Sequence, residues 1–360
     1  MIKKKTLNLV QLLRGIASLL VVLMHTTIAA KEFWSINFLG GIFTFGGAGV
    51  DIFFVLSGFI ITYTSRHALK KSSSFLTFLK RRFIRIFPVY WIIISGFLSV
   101  QILLPAYYNS HFNLSIMNVA NTYFLLPNHQ MLNSVSWTLT YELFFYILFS
   151  VAFLIKSSRF LFVASLLYIL FIIVSPFILD PKIYDNKWIN VILYPMNIEF
   201  FLGIAVALLI PQIKLNFAKP LLILGSILFI IAALSSNAGY YIFNNGFDRV
   251  ILFGLPSFCI LLAVVRLELT KDFHLHNFLL YLGEASYSLY LIHLPIIVAA
   301  IKLLSTLQIG NSITLQMVAI FLIIAICFAS IVFYKKIENP LIIFLNNTGN
   351  KKIPEKNTKV

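Results

Sequence analysis

Arg14 and His25 stand eleven residues apart in a run that is otherwise almost wholly apolar. An α-helix brings residues at that spacing within about 20° of one another and about 16 Å apart along its axis. One helix face therefore offers a guanidinium, which binds oxygen anions, and an imidazole, which exchanges protons near neutral pH. Asp51 and Glu142 lie near the starts of two further apolar runs. A carboxylate beside an imidazole fixes its tautomer and raises its basicity, as a general base requires. Either Asp51 or Glu142 can fill that place for His25. The plainer reading of Asp51 is a charge favoured by a helix N-terminus, and of Glu142 an interhelical hydrogen bond.

Other polar groups recur at helical spacing. Thr138, Glu142 and Tyr146 follow i, i+4, i+8, and Ser286, Tyr290 and His293 follow i, i+4, i+7. Glu199 sits alone in the middle of an apolar run. Ahead of another run stand Lys80-Arg81-Arg82-Phe83-Ile84-Arg85-Ile86-Phe87-Pro88-Val89-Tyr90-Trp91. Arginine forks grip phosphate bidentately, so Arg81, Arg82 and Arg85 are candidates for a phosphate site. The bland reading is an anchor at the membrane surface, with Pro88 starting a helix.

The elements that must carry these groups are membrane spans. The chain is 60% hydrophobic and only 11% charged, against about 25% charged in a soluble domain. Apolar runs long enough to cross a bilayer fall at 7–29, 46–65, 83–104, 134–155, 160–179, 188–210, 217–236, 248–266, 280–304 and 312–334. This predicts an all-α integral membrane bundle of about ten helices. A membrane domain is expected over 1–345 and a polar, disordered tail over 346–360. Most of the 28 Lys and Arg residues fall before the first span, after the last, or in alternate loops. The positive-inside rule then puts both termini in the cytoplasm. Topology and anionic membrane lipid account for the net charge of +16 without a nucleic-acid partner. Arg14 interrupts the first run, which argues against a cleaved signal peptide. Cys259 and Cys327 lie in apolar runs and read as small hydrophobes. The loop at 105–133 is rich in Tyr, Asn and His, including Tyr107, Tyr108, Asn109, His111, Asn128 and His129. It reads equally as a sugar-binding surface and as an interfacial aromatic belt. Charges buried in spans cost about 2.5–3.5 kcal/mol each on insertion scales, so they point to function. A transporter or flippase of a lipid-linked saccharide would need them too, although no internal repeat of the kind found in many transporters is visible.

In order along the chain, these residues resemble the acyltransferase-3 family of integral membrane acyltransferases. Arg14-Gly15-Ile16-Ala17 with His25 is similar to its first-helix signature, and Gly49-Val50-Asp51-Ile52-Phe53-Phe54-Val55-Leu56-Ser57-Gly58-Phe59 to its second. The 81–91 segment resembles its basic motif, and Ser136-Trp137-Thr138-Leu139 with Glu142 a fourth. Ser286-Tyr287-Ser288-Leu289-Tyr290-Leu291-Ile292-His293 and Ile337-Glu338-Asn339-Pro340 resemble late motifs. Asn339 stands where a basic residue is common, a departure that touches only a peripheral motif. No hydrolase-like domain of the kind that some members carry outside the membrane is expected.

The resemblance implies transfer of an acyl group, usually acetyl, from cytoplasmic acetyl-CoA to a sugar hydroxyl. The setting would be a bacterial cytoplasmic membrane, and the acceptor a glycan or lipid-linked saccharide. It associates Arg14 and His25 with activity and the basic motif with the donor. The expected arrangement has Arg81, Arg82 and Arg85 on the donor's phosphates and Arg14 lining its path. His25, oriented by Asp51 or Glu142, takes the acceptor's proton. Trp137, Tyr141, Glu199 and His293 are candidate acceptor contacts. No metal is expected, and the sequence leaves oligomeric state open. Direct transfer and an acyl-enzyme on His25 or Ser57 both remain open; direct transfer is favoured because no nucleophile–base pair shares a helix face.

Overall fold

In hydrocarbon no water satisfies backbone N–H and C=O groups, so a long apolar run must close its hydrogen bonds within itself as a helix. The computed structural model of the protein describes residues 7–65, 74–104, 112–127, 130–155, 157–239, 246–307 and 311–348. Among them ten helical spans are long and apolar enough to cross a membrane. They are α1 (Asn8–Trp34), α2 (Thr44–Ser65), α3 (Ser74–Leu103), α4 (Ser134–Val151) and α5 (Ser158–Ile178). After them come α6 (Lys187–Leu209), α7 (Leu215–Asn237), α8 (Phe247–Thr270), α9 (Ser286–Ser305) and α10 (Ser312–Asn347). Of the residues singled out above, Tyr107, Tyr108, Asn109, His111, Asn128, His129 and 349–360 lie outside the described residues.

The bundle has a centre and a rim. In α2, 72% of the apolar window is buried, and in α5 only 11%. Close approach at the centre depends on glycine. A Cβ on Gly49 would lie 2.2 Å from the Ala17 carbonyl oxygen of α1. One on Gly58 would lie 2.0 Å from the Phe200 carbonyl oxygen, and one on Gly203 2.1 Å from that of Val55. So α2 touches α1 on one side and α6 on the other, backbone to backbone.

Four expectations about elements are corrected. α3 begins at Ser74, so the basic motif lies on the helix itself and Pro88 is an interior residue, not a helix start. α6 is broken at 194–196, which places Glu199 in the first turn of its second half rather than mid-helix. The ninth span starts at Ser286, because Ala285 separates it from a short helix, Asn277–Glu284. α10 continues beyond 334 through a π-turn at Tyr334–Glu338 and a final helix Asn339–Thr348, entering the segment expected as a polar tail.

α1 and α9 run parallel and are tied twice. Arg14 Nη2 donates to Ser286 Oγ at 2.9 Å, and His25 Nδ1 lies 3.1 Å from His293 Nε2. Ser286 and His293 are about 10 Å apart along α9, against about 16 Å between the α1 residues. The long Arg14 side chain takes up the difference. The N-terminus of α1 is completed from α8: the buried Glu268 carboxylate accepts from the backbone N–H groups of Leu9 at 2.8 Å and Val10 at 3.3 Å. Those amides have no partner within their own helix.

Candidate active site

The polar groups inside the spans sort into three clusters. The first surrounds a cavity of about 150 Å³ lined by α1, α2, α3, α4 and α9. Arg14, Ser57, Arg82, Arg85, Glu142 and Tyr146 face it. Glu142 Oε1 accepts from Ser57 Oγ at 2.9 Å and from the hydroxyl of Tyr146. Arg85 forms an ion pair with Glu338 at 2.6 Å, and its guanidinium lies over the Tyr287 ring. The Arg82 guanidinium sits between the rings of Phe78 and Tyr146, 5.4 and 5.3 Å from their centroids. Its Nε is buried without a hydrogen-bond partner. Three guanidiniums thus gather around Glu142 and Glu338, leaving an excess of positive charge.

Arg81 does not belong to this group. One residue before Arg82 on the same helix, it is turned about 100° away and is exposed. Glu338, by contrast, is fully buried, pairs with Arg85 and accepts from Ser288 Oγ. The late motif that holds it is therefore central, not peripheral. The available signal was that Glu338 is a carboxylate directly after an apolar span and Arg85 a cation directly before one, on the same side.

The second cluster is the His25–His293 pair between α1 and α9. Phe53 and Tyr290 stand between it and the cavity. Both line the cavity, their rings meet edge to face at 6.0 Å, and Tyr290 lies 5.8 Å from the His293 ring. The carboxylate expected beside His25 is not found there. Glu142 is taken by Ser57 and Tyr146, and Asp51 by Arg249. Aligned faces on one helix predicted the common direction of Arg14 and His25 but could not say which helix they face.

The third cluster is that Asp51–Arg249 pair. Arg249 donates from Nε to Asp51 Oδ1 at 3.0 Å, from Nη2 to Asp51 Oδ2 at 2.8 Å and from Nη2 to the Gly47 carbonyl at 2.8 Å. Both side chains are buried. Glu199, fully buried, lies within electrostatic reach of both and packs against Gly254. Asp51 and Glu199 are thus grouped with Arg249 rather than with His25. Arg249 reads in sequence as an ordinary loop cation. Its position matches that of Asp51, each near the start of its span.

Trp137 and Tyr141 point elsewhere. Glu142 and Thr138 face the cavity, while Trp137 and Tyr141 line a cleft of about 490 Å³ with Tyr194, Asn190 and Lys187. Tyr141 donates to Asn190 Oδ1 at 2.8 Å, and its ring lies 4.4 Å from that of Tyr194. Polar rings around an open cleft suit a sugar face.

Charged side chains that converge inside an all-α bundle rather than at its rim define an integral membrane protein with an enclosed reaction or transport site. The relatives decide between the two. A profile for the Acyltransferase domain (acyltransferase-3) matches residues 8–334, and the chain belongs to this family. It is 28% identical over 258 residues to the exopolysaccharide production protein ExoZ of Rhizobium meliloti (strain 1021), covering 70% of this chain and 76% of that one. It is 28% identical over 284 residues to the O-acetyltransferase OatA of Staphylococcus aureus (strain NCTC 8325 / PS 47), covering 70% of this chain and 46% of that one. The chain therefore spans under half the length of OatA. No solved structure matches it.

Proposed function

We propose that the protein is a membrane O-acyltransferase that moves an acyl group, acetyl in the simplest case, from cytoplasmic acyl-CoA to a hydroxyl of a cell-envelope or secreted glycan. The convergence of Arg14, Arg82 and Arg85 on one buried cavity carries this reading. Acyl-CoA supplies a thioester and three phosphate groups, and the residues fit both. Arg82 has an unpaired buried N–H, and Arg85 is steadied by Glu338, so their forks suit phosphate. Arg14, in the same cavity and braced by Ser286, suits the donor arm on its path toward His25. His25 accepts the glycan hydroxyl's proton as its oxygen bonds to the acyl carbon and the carbon–sulfur bond breaks, the sulfur leaving as thiolate. The names of the relatives agree with this reading: one is an exopolysaccharide production protein and the other an O-acetyltransferase. The cleft beside Trp137 and Tyr141 is the proposed surface for that acceptor.

A second route is favoured by one observation. Ser57 Oγ donates to Glu142 Oε1 inside the cavity, a nucleophile with a base, on two helices rather than one face. Acylation of Ser57 before transfer to the glycan would use that pair.

The test is purified protein in lipid vesicles with radiolabelled acetyl-CoA and envelope glycan. His25→Ala is expected to bind acetyl-CoA normally and lose transfer by about 10²–10⁴-fold. Arg82→Ala is expected to weaken acetyl-CoA binding. Full transfer by His25→Ala, or unchanged acetyl-CoA affinity in Arg82→Ala, would overturn the corresponding assignment. A mass increase of one acetyl group on Ser57 would select the second route.

A further inference from the structure

His25 lacks a carboxylate neighbour, yet its ring is held at two points. Nδ1 lies 2.9 Å from the carbonyl oxygen of Val21, one turn back on α1, and 3.1 Å from His293 Nε2. His293 Nδ1 lies 3.0 Å from the carbonyl oxygen of Leu289, one turn back on α9. With both rings neutral, the proton positions follow by elimination. A carbonyl oxygen only accepts, so His293 Nδ1 carries its proton and His293 Nε2 is a lone pair. His25 Nδ1 then faces two acceptors, the Val21 carbonyl and that lone pair, and must carry a proton too. His25 Nε2 is left as the nitrogen with a lone pair. It makes no hydrogen bond among the described residues and is not enclosed, since His25 is only partly buried.

We propose that His293 is the positioning residue of His25: its Nε2 accepts from the Nδ1–H of His25, aims the ring, and leaves His25 Nε2 as the proton acceptor toward the glycan hydroxyl. The inference rests on the reading of His25 as base. It gives His293 the place that a carboxylate commonly holds beside a catalytic imidazole, with orientation supplied by a neutral ring. When His25 takes the proton, its charge is shared along Nδ1–H toward a lone pair already aimed at it. His293 itself is fully buried and tied to its own helix, so it does not contact the acceptor. Among the described residues no third His, Cys, Asp or Glu joins the pair in a group that could hold a metal ion. The rings are tilted by 53° with centroids 5.0 Å apart, so they meet edge to edge through their nitrogens and do not stack.

Two measurements on the full chain in bilayers test this. The first is solid-state NMR of protein carrying 15N-histidine, without substrate. The expected spectrum shows His25 protonated at Nδ1, with a coupling to an unprotonated His293 Nε2. A His25 ring protonated only at Nε2, or no coupling between the rings, overturns the proposal. The second is kinetics. His293→Leu is expected to lower kcat at least about tenfold, part of the ~10²–10⁴-fold that a general base supplies, with the KM for acetyl-CoA unchanged. His293→Gln, whose Oε1 can accept from His25 Nδ1–H, should recover most of the loss. In a His25→Ala background, His293→Leu should cost nothing more. A purely packing role predicts no rescue by Gln and an added loss in the double variant, and either result overturns the proposal. If His293→Leu does not fold, the NMR arm and the Gln variant still decide. Retained activity in His25→Ala would sink the function reading and this inference together. A normal kcat in His293→Leu beside an inactive His25→Ala would sink the inference alone.

Discussion

Arg249 is the side chain whose loss the bundle should tolerate least. Its guanidinium holds Asp51 through two nitrogens and sits within reach of Glu199, all buried. Removing one partner of a buried ion pair leaves the other as an uncompensated charge, at a cost of about 3–5 kcal/mol. Arg249→Leu is therefore expected to unfold well below the parent protein in detergent thermal scans. Asp51→Leu combined with Arg249→Leu should regain part of the difference, because the Asp51 carboxylate is no longer left unpaired. Equal melting of the single and double variants would show that the pair is not what stabilises this corner. These residues also mark what was legible in the chain. Arg14, Glu142, Arg82 and Arg85 stood out because each charge lies in or beside an apolar run, and they do share a cavity. The partners of His25 and Asp51 did not, since helical spacing orders side chains within a helix and carries no information about which helices meet.

Helices with little hydrophobic drive between them associate through small residues, and the contact of α2 with α6 is the plainest case. Gly58 and Gly203 bring the two backbones so close that any Cβ meets a carbonyl oxygen at about 2 Å. Gly203→Ala should push α6 off α2 and disturb Phe200, which stacks on Phe54 and Phe145. Overpacking costs about 1–3 kcal/mol and more where backbone is the obstacle, as it is here. The measurement is thermal unfolding together with acyl-CoA affinity. An unshifted melting temperature would contradict the close packing. The ten spans were legible from hydropathy because length and composition suffice for them. The early start of α3, the break in α6 and the extension of α10 were not. All three arise where a polar stretch continues as helix or an apolar one stops, so hydropathy and helicity part company.

Across the whole molecule, the parallel pair α1 and α9 stacks Arg14–Ser286 and His25–His293 along one seam, while α8 caps the start of α1. The first span is thus completed by the eighth and the ninth. Separate expression of 1–239 and 240–360 should give two fragments that are each degraded or protease-sensitive, because each leaves buried polar groups unmatched. Co-expression should restore a protease-resistant complex that copurifies. Stability of the first fragment alone would show that α1 does not depend on these distant partners.

The cap supplied by Glu268 also sets an order of events during synthesis. It lies 259 residues beyond Leu9, and Ser286 lies 272 residues beyond Arg14. At about 5–20 residues per second, α1 waits roughly 13–54 s for those partners to emerge. Through that interval a guanidinium and an imidazole sit in α1, unmatched by the residues that later hold them. The helix that carries the proposed base is therefore the one that most needs shelter by the insertion machinery, and ribosome stalling between α1 and α8 should prolong its exposure to membrane proteases.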